Sequence, residues 1–254
     1  LVERAQRTLL DTTRILSSHL QAGFGQLGRD ATMLAMLAGG LPLPGGPVPT
    51  AAQAQSLETL AQMFRAQLLA RPGLLQVQLI GLRDHGLELV HLQRLADERI
   101  VRVVGAALQE KAHFPYVYET ARLTSGGVYF TEFGINREDG VPQEERAVFS
   151  VAAPVVQGTA VVAVVVLRVD AEAFLRHFGA TLPAPYGFYL ASRWGDFLAH
   201  PEREKAFGFD RGQRVLVQEE FVATAALLSG AERELVFSHT ESPGEAQIQA
   251  FVRV

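Results

Sequence analysis

The first forty residues carry an apolar stripe at helical spacing. From Leu9 to Ala38, apolar positions recur alternately three and four residues apart, which places them on one face of a helix. A helix over residues 1–38 would be about 57 Å long at ~1.5 Å per residue. This exceeds the width of a small domain, so we expect it to span two packed modules or to project beyond one. Gly39-Gly40 ends the helix, and a loop rich in proline and glycine follows.

The rest of the chain mixes helical and strand patterns. Residues 51–71 predict a second helix, residues 97–110 return to helical spacing, and shorter helices are predicted at 170–178 and 219–228. Strands are predicted at residues 75–79, 88–94, 127–133, 147–156, 161–169, 187–193, 197–200, 235–240 and 247–254. This order predicts an α+β fold in which a long N-terminal helix carries two modules, each a mainly antiparallel sheet flanked by helices.

The pattern also predicts the domain organisation. Residues 1–50 form the long helix and its loop, residues 51–180 the first module, and residues 181–254 the second. Within the first module, Asn136–Gly140 predicts a polar loop between the third and fourth strands, which is either a structural turn or a ligand contact.

Composition excludes several classes of protein. The 254 residues are 48% hydrophobic, which is enough for a buried core. With 23 basic and 27 acidic side chains, a net charge of −4 and no basic run, the chain is not expected to bind nucleic acid. The absence of cysteine excludes disulfides and thiolate metal sites. No apolar run reaches the ~18 residues of a membrane span. The chain begins at Leu1, and we expect it to be part of a longer protein.

No motif indicates catalysis, a cofactor or a metal. The segment Gly23–Gly28 matches the letters of a dinucleotide-binding loop, but it lies inside a helical pattern and does not follow a strand. The seven histidines form no metal-binding pair, and no serine lies in a nucleophile elbow. We therefore expect this fragment to be neither an enzyme nor a metal or cofactor protein.

Aromatic side chains and one arginine gather before and within the third strand. An aromatic cleft with a guanidinium suits a small anion or zwitterion, because arginine grips a carboxylate bidentately. The alternative is that the tyrosines are ordinary strand residues and that Arg122 faces water. The candidate ligand-binding residues are Tyr116, Tyr118, Arg122, Tyr129, Phe149 and Ser150.

Several stretches resemble a known family of sensor domains. They are Leu108–Lys111, Tyr118–Thr120, Gly127–Gly140, Ala153–Val155, Tyr189–Pro201 and Phe207–Asp210. These stretches resemble double Cache domains, also called tandem PAS-like or PDC sensors, which form the extracytoplasmic part of bacterial sensor histidine kinases. The resemblance extends from about residue 74 to residue 211, and the long leading helix also fits it.

The resemblance implies a role in signalling. It implies a periplasmic or extracellular domain of a bacterial inner-membrane receptor, placed between two transmembrane helices and homodimeric in the full-length protein. Residues 51–180 would be the membrane-distal PAS-like module, with a small-molecule ligand, and residues 181–254 the membrane-proximal one. The output, outside this fragment, would be a histidine kinase, a diguanylate cyclase or a chemoreceptor.

The sequence departs from the family at positions that bear on the ligand. His91 and Ser150 stand where members of this subtype often have arginine, and Arg122 lacks the Trp-Tyr pair of the amino-acid-binding subtype. These departures favour an uncharged or aromatic small molecule, or no ligand. The alternatives are a ligand-free module that senses through a periplasmic protein partner or acts as a dimerisation scaffold, and a soluble enzyme of unrecognised type.

Overall fold

The structure is a computed structural model, and the chain folds into two compact units. The larger unit is Gly25–Phe174, and the smaller unit combines Leu1–Phe24 with Leu175–Val254. The described residues are 2–46, 48–83, 85–135, 146–242 and 245–254. The polar loop predicted at 136–140 therefore lies outside the described residues. The domain boundaries at residues 50 and 180 stay a prediction.

The element order follows the predicted alternation of helices and sheets. Up to the end of the large sheet the elements are α1 (Val2–Gly39), α2 (Ala51–Ala70), β1 (Leu74–Gly81), β2 (Glu88–Arg94), β3 (Ile100–Val103), α3 (Pro115–Tyr118), β4 (Tyr129–Phe130), β5 (Gly134–Ile135), β6 (Ala147–Gln157) and β7 (Ala160–Asp170). The remaining elements are α4 (Ala171–Gly179), β8 (Leu190–Ala191), β9 (Phe197–Ala199), α5 (Gly208–Arg211), α6 (Val217–Glu220), α7 (Ala225–Leu228), β10 (Glu234–Ser242) and β11 (Glu245–Val252). Single 3-10 turns occur at Gly105–Ala107, Thr120–Arg122, Arg203–Lys205 and Val222–Thr224.

The larger unit is built on an antiparallel sheet. Among the described residues its strand order is β3-β2-β1-β7-β6-β4, and β5 also pairs with β6. The register places Gln78 of β1 between His91 of β2 and Val166 of β7. It then places Ala152 of β6 between Val166 and Tyr129 of β4. Strand β1 is buried along its whole length, and β7 is buried from Ala163 to Val169.

Helix α2 covers one face of this sheet. Its buried side chains Leu60, Phe64 and Leu68 recur at helical spacing, and the helix packs on β1 and β2. A capping box begins the helix: Gln53 N–H donates to the hydroxyl of Thr50, and Thr50 N–H donates to the side-chain oxygen of Gln53. Local sequence therefore sets the start of α2, and packing on the sheet holds it.

The end of α1 is fixed against the β6–β7 hairpin. The amide of Gln157 donates to the carbonyl oxygen of Leu41 at 2.7 Å. A Cβ atom added at Gly39 would lie 2.7 Å from the carbonyl oxygen of Val156. Glycine at position 39 thus lets the helix approach the hairpin backbone more closely than any other residue could.

The helical pattern predicted at residues 97–110 is wrong. The chain forms β3, which pairs with β2, and then a 3-10 turn. A tight turn precedes β3: Leu95 N–H donates to the carbonyl oxygen of Arg99, and Glu98 has a positive φ of 65°. β-Branched residues follow this turn, and strand pairing buries Ile100. Hydrogen bonding to β2 at the edge of the sheet thus decides the structure of this segment, against its helical spacing.

Among its described residues, the smaller unit has two antiparallel strand pairs, β8 with β9 and β10 with β11. Its buried core contains Phe197, Val217 and Phe221, with Tyr189 and Phe251 packed against it. The helix predicted at 219–228 is divided into α6 and α7 by the turn Val222–Thr224. None of the described helices combines the length and apolar character needed to cross a membrane.

Candidate functional site

The candidate site lies on the face of the large sheet that α3 covers. Tyr116 and Val117 of α3 pack against alternate apolar residues of β1, β6 and β7, and Tyr129 joins them from β4. The sheet residues in this cluster are Ile80, Ala152, Val164 and Val166. We call this surface of the sheet the site face.

A loop that runs back along β2 brings α3 to this face. The backbone N–H of Lys111 donates to the carbonyl oxygen of Gly86 at 2.8 Å. A side chain at Gly86 would meet Ala112 N at 2.6 Å, and its φ is +74°, so the turn requires glycine there. The Nζ atom of buried Lys111 lies 5.1 Å from the centre of the Phe114 ring, which stacks on Tyr116. The loop therefore places a positive charge and two rings beside the sheet.

A hydrogen-bonded network of four side chains, which we call the Glu88 network, occupies one side of the site face. It consists of Glu88, His91, Gln78 and Gln76. The carboxylate of Glu88 is fully buried: Oε2 accepts from His91 Nδ1 at 3.2 Å and from the backbone N–H of Gln109 at 3.0 Å. Oε1 accepts from Gln78 Nε2 at 3.1 Å, and that nitrogen also lies 3.3 Å from Gln76 Oε1. One carboxylate thus organises the network.

The surroundings of Glu88 keep its carboxylate ionised. Burial raises the pKa of Glu88, but the hydrogen bond and charge of His91, the N–H of Gln109 and the positive charge of Lys111 together lower it below its ordinary value. The result is a buried anion whose hydrogen bonds are satisfied. Such a group orients the side chains that donate to it and is not itself expected to bind a ligand.

Polar side chains continue across the central strands. Gln76 of β1 lies opposite Arg168 of β7, and Arg168 lies opposite Ser150 of β6. All three residues are buried. Thr120, in the turn that packs on β6 and β7, is fully buried, and its hydroxyl has no hydrogen-bond partner among the described residues. We call these buried polar side chains, together with the Glu88 network, the polar row. The site face therefore joins the polar row to the apolar cluster around Tyr116.

The structure brings three of the six predicted site residues to this face. Tyr116 and Tyr129 belong to its apolar cluster, and Ser150 lies in its polar row. Burial, together with the nearby carboxylates of Glu119 and Glu132, raises the pKa of Tyr129 above its ordinary value. The phenol is therefore a neutral hydroxyl at physiological pH.

The other three predicted residues lie elsewhere. The Arg122 side chain is 74% exposed, lies 3.7 Å from Glu119 Oε2 and stacks on exposed Tyr118. Phe149 precedes Ser150 on β6, so it points to the opposite face, where it packs with Phe133 and Phe174. Three of the expected side chains thus do not face the same space as Tyr116.

Sequence reasoning missed most of the polar row. Gln76 and Gln78 alternate with apolar residues, a pattern that also fits a solvent-facing strand, yet the structure buries both of them. Arg168 interrupts a run of valine and leucine in a central strand, and this signal could have been used. Glu88 and Lys111 come together only because the backbone at residues 109–111 hydrogen-bonds to the backbone at residues 86–88.

The described residues contain no group of three or more histidine, aspartate and glutamate side chains able to hold a metal ion. What the site face offers is a fixed set of hydrogen-bond donors and acceptors beside an apolar patch. This arrangement is typical of small-molecule sites, in which a few polar groups orient a ligand on an apolar surface.

Comparison with known proteins identifies the fold. No family model matches the sequence, and no curated protein does. Among solved structures, the extracellular domain of a protein assigned as the histidine kinase vpHK1S-Z8 is 13% identical, with a TM-score of 0.71 over 93% of this chain and 84% of that one. A sensory box/GGDEF protein domain from Vibrio parahaemolyticus is 14% identical, with a TM-score of 0.65 and coverage of 98% and 95%. The chain has the fold of an extracellular sensor domain.

A third structure extends this similarity to chemoreceptors. The ligand-binding domain of the Campylobacter jejuni chemoreceptor Tlp3, in complex with L-norvaline, is 11% identical, with a TM-score of 0.68 over 97% of this chain and 85% of that one. The predicted α+β architecture and the resemblance to double Cache sensors are thereby confirmed at the level of the fold. The neighbours are sensor domains and not catalytic ones.

Proposed function

We propose that this chain is the extracytoplasmic ligand-sensing domain of a bacterial transmembrane receptor, most simply a sensor histidine kinase. A small molecule binds on the site face, in the membrane-distal PAS-like module, and the full-length receptor is a homodimer. The observation that carries the proposal is the buried polar row of the site face, next to the apolar cluster of Tyr116 and Tyr129.

The physical argument is one of cost. Removing a charge from water costs several kcal/mol, and even when partners compensate it, the buried group stabilises a fold no more than apolar side chains of similar volume do. The larger unit nevertheless buries Glu88, Lys111 and Arg168. Because these charges add little net stability, their burial supports a recognition role for the site face. The proposed ligand contacts are Tyr116, Tyr129 and Ser150, together with the polar row.

Signalling requires that the ligand favour one conformation over another. A ligand shifts an equilibrium only by its difference in affinity for the two states. Helix α1 is continuous from Val2 to Gly39 and supplies residues to both compact units. We propose that α1 and α4 carry the change toward the membrane and the cytoplasmic output.

The first test is a thermal-shift screen of the purified domain against amino acids, carboxylates, amines, amides, nucleobases and sugars. The amino acids include L-norvaline and 4-methylisoleucine, with which the chemoreceptor Tlp3 was solved. A ligand at 100 times its dissociation constant stabilises the folded state by about 2.7 kcal/mol. At about 2–4 °C per kcal/mol for a protein of this size, the melting temperature rises by roughly 5–11 °C.

Matched variants locate any ligand that is found. Gln78→Leu is expected to weaken its binding, measured by calorimetry, whereas Gln249→Leu, a buried strand glutamine in the smaller unit, leaves it unchanged. Unchanged affinity in Arg122→Ala removes that exposed residue from the site. If no compound shifts the melting temperature, small-molecule sensing is rejected in favour of a periplasmic protein partner or a dimerisation scaffold.

A further inference from the structure

The Glu88 network fixes which end of each amide faces the site. An ionised carboxylate only accepts hydrogen bonds, so Gln78 must present its NH2 group to Glu88 Oε1, 3.1 Å away. The same nitrogen lies 3.3 Å from Gln76 Oε1 and 3.5 Å from His91 Nε2, so the carbonyl end of Gln76 is the nearer acceptor for its remaining N–H. The buried carboxylate therefore orients Gln78, and Gln78 in turn orients Gln76.

The carbonyl oxygen of Gln78 and the NH2 group of Gln76 are the ends of the two amides that the Glu88 network does not use. No hydrogen bond from the described residues reaches Gln78 Oε1 or Gln76 Nε2, although the two residues are only 2% and 7% exposed. Neither atom is among the fully buried polar atoms that lack a partner, so both lie where water or a small molecule can reach them. An unpartnered acceptor and an unpartnered donor thus belong to neighbouring side chains.

These two atoms form a pair with a defined polarity. Residues two apart on a strand point to the same face, with their Cα atoms about 7 Å apart. Gln76 offers N–H donors and Gln78 a carbonyl acceptor. A carboxamide or a lactam edge is complementary, because its carbonyl accepts from Gln76 and its N–H donates to Gln78. A lone carboxylate has no donor for Gln78, and a lone ammonium group has no acceptor for Gln76. An amino acid carries both groups, but it must give up the hydration of two full charges to use them.

The rest of the site face indicates the body of the ligand. On the side of Ile80 and Val166 the face is apolar, and the rings of Tyr116 and Tyr129 pack there. Arg168 lies opposite Gln76 on the neighbouring strand, so its positive charge favours a ligand acceptor at the Gln76 end of the pair. The polar and apolar halves together fit an amide group attached to an apolar or aromatic body.

We propose that the site face binds a neutral molecule in which an amide-type group is joined to an apolar or aromatic body. Glu88 is the positioning residue that sets the donor and acceptor polarity of the site. This inference rests on the proposed function and narrows it to one chemical class. Glu88 itself does not touch the ligand; it acts through Gln78.

Two matched sets of probes test the chemical class. They are benzamide, benzoate and benzylamine, and isovaleramide, isovalerate and isoamylamine, each titrated to 10 mM (roughly 10⁴-fold above a μM affinity) and followed by NMR. Within each set the body is constant, so affinity reports the polar group. The amide is expected to bind about tenfold or more tightly than the acid or the amine, because each of those leaves one buried amide unpaired.

A variant tests the positioning role. In Glu88→Gln, Gln78 is no longer required to present its NH2 group, so the preference for amide over acid is expected to fall toward parity. Glu58→Gln, which changes an exposed carboxylate of the same unit, keeps the preference. In the wild-type protein, we expect the side-chain NH2 resonance of Gln78 to be protected from hydrogen exchange, and that of Gln76 to become protected only when an amide probe binds.

The outcomes separate the two proposals. If an acid or an amine binds as tightly as its amide, the ligand class is overturned, while small-molecule sensing stands. Failure of every amide probe, with a ligand of another class found in the broad screen, has the same meaning. If neither screen gives a ligand, both proposals fail. An unchanged preference in Glu88→Gln overturns the positioning role, and the wild-type exchange data decide it if that variant does not fold.

Discussion

Removing the carboxylate of Glu88 is expected to destabilise the larger unit strongly. The fully buried side chain accepts hydrogen bonds from His91 Nδ1, the backbone N–H of Gln109 and Gln78 Nε2. In Glu88→Ala these three donors lose their acceptor. Each buried donor left unpaired costs about 1–3 kcal/mol, so the free energy of unfolding should fall by at least about 3 kcal/mol. This corresponds to a decrease of roughly 6–12 °C in melting temperature.

The isosteric variant Glu88→Gln adds a dependence on pH. The pKa of Glu88 is lower in the folded protein than its ordinary value of 4.5, so ionisation favours folding. That contribution is fully present above pH 4.5 and is lost as the pH falls through the folded-state pKa. The difference in stability between the wild type and Glu88→Gln should therefore be largest near neutral pH and shrink on acidification.

Urea denaturation followed by circular dichroism and by fluorescence measures these effects. Trp194 is the single tryptophan and lies in the smaller unit, so its fluorescence reports that unit, whereas circular dichroism reports both. Glu58→Ala is the control, because its ion pair with Arg102 is exposed and is expected to contribute less than about 1 kcal/mol. The reasoning is refuted if Glu88→Ala is as stable as the control. It is also refuted if the difference in free energy of unfolding between the wild type and Glu88→Gln grows as the pH falls.

Three further substitutions test other parts of the structure, with melting temperature as the measurement. Phe64→Ala removes a fully buried ring of α2 and should cost about 3–5 kcal/mol, whereas exposed Leu69→Ala should cost almost nothing; equal effects would contradict the packing of α2. Gly39→Ala should destabilise because its Cβ meets a backbone carbonyl at 2.7 Å, whereas Gly73→Ala meets nothing within 4 Å and should be tolerated. Hydrogen bonds from Arg214 lower the pKa of Asp196, so Asp196→Asn should lower the melting temperature at pH 7. This loss of stability should disappear in acid, where the carboxyl of the wild type is protonated. A loss that is the same at both pH values would contradict a stabilising ion pair.

Long periodic segments were the easiest part of the fold to predict. Helices α1 and α2 and strands β6 and β7 lie within a few residues of the predicted ranges. The start of α4 was also predicted correctly, because Asp170 Oδ1 accepts the N–H of Ala173 at 2.8 Å, as an N-cap does. In each case the deciding interaction is local, or the apolar face is long enough to leave one solution.

Short segments at the edge of the sheet were harder to predict. Residues 97–110 have helical spacing, yet pairing with β2 makes a strand of Ile100–Val103. The stabilisation comes from pairing with another strand, and the spacing of apolar residues within 97–110 does not reveal that pairing. The division of the predicted helix at 219–228 has the same origin, because Phe221 and Thr224 are buried in the smaller unit.

The candidate site was predicted only in part, for a geometric reason. Tyr116, Tyr129 and Ser150 lie on the site face, but Phe149 faces the opposite way, because neighbouring residues of a strand alternate between faces. The prediction grouped residues that are close in sequence. The site instead joins residues from β1, β2, β6 and β7, which become neighbours through strand pairing.

The sequence by itself determined the long helices, the alternation of helices and strands, and the resemblance to sensor domains. Periodicity, capping residues and turn residues act over a few positions, and these features depend on nothing more. Only the tertiary structure decided that Gln76 and Gln78 are interior residues and that Glu88 orients them. Burial and hydrogen bonding depend on which strand and which loop lie opposite, and for these residues the opposing groups are up to 92 positions away in the chain, as for Gln76 and Arg168.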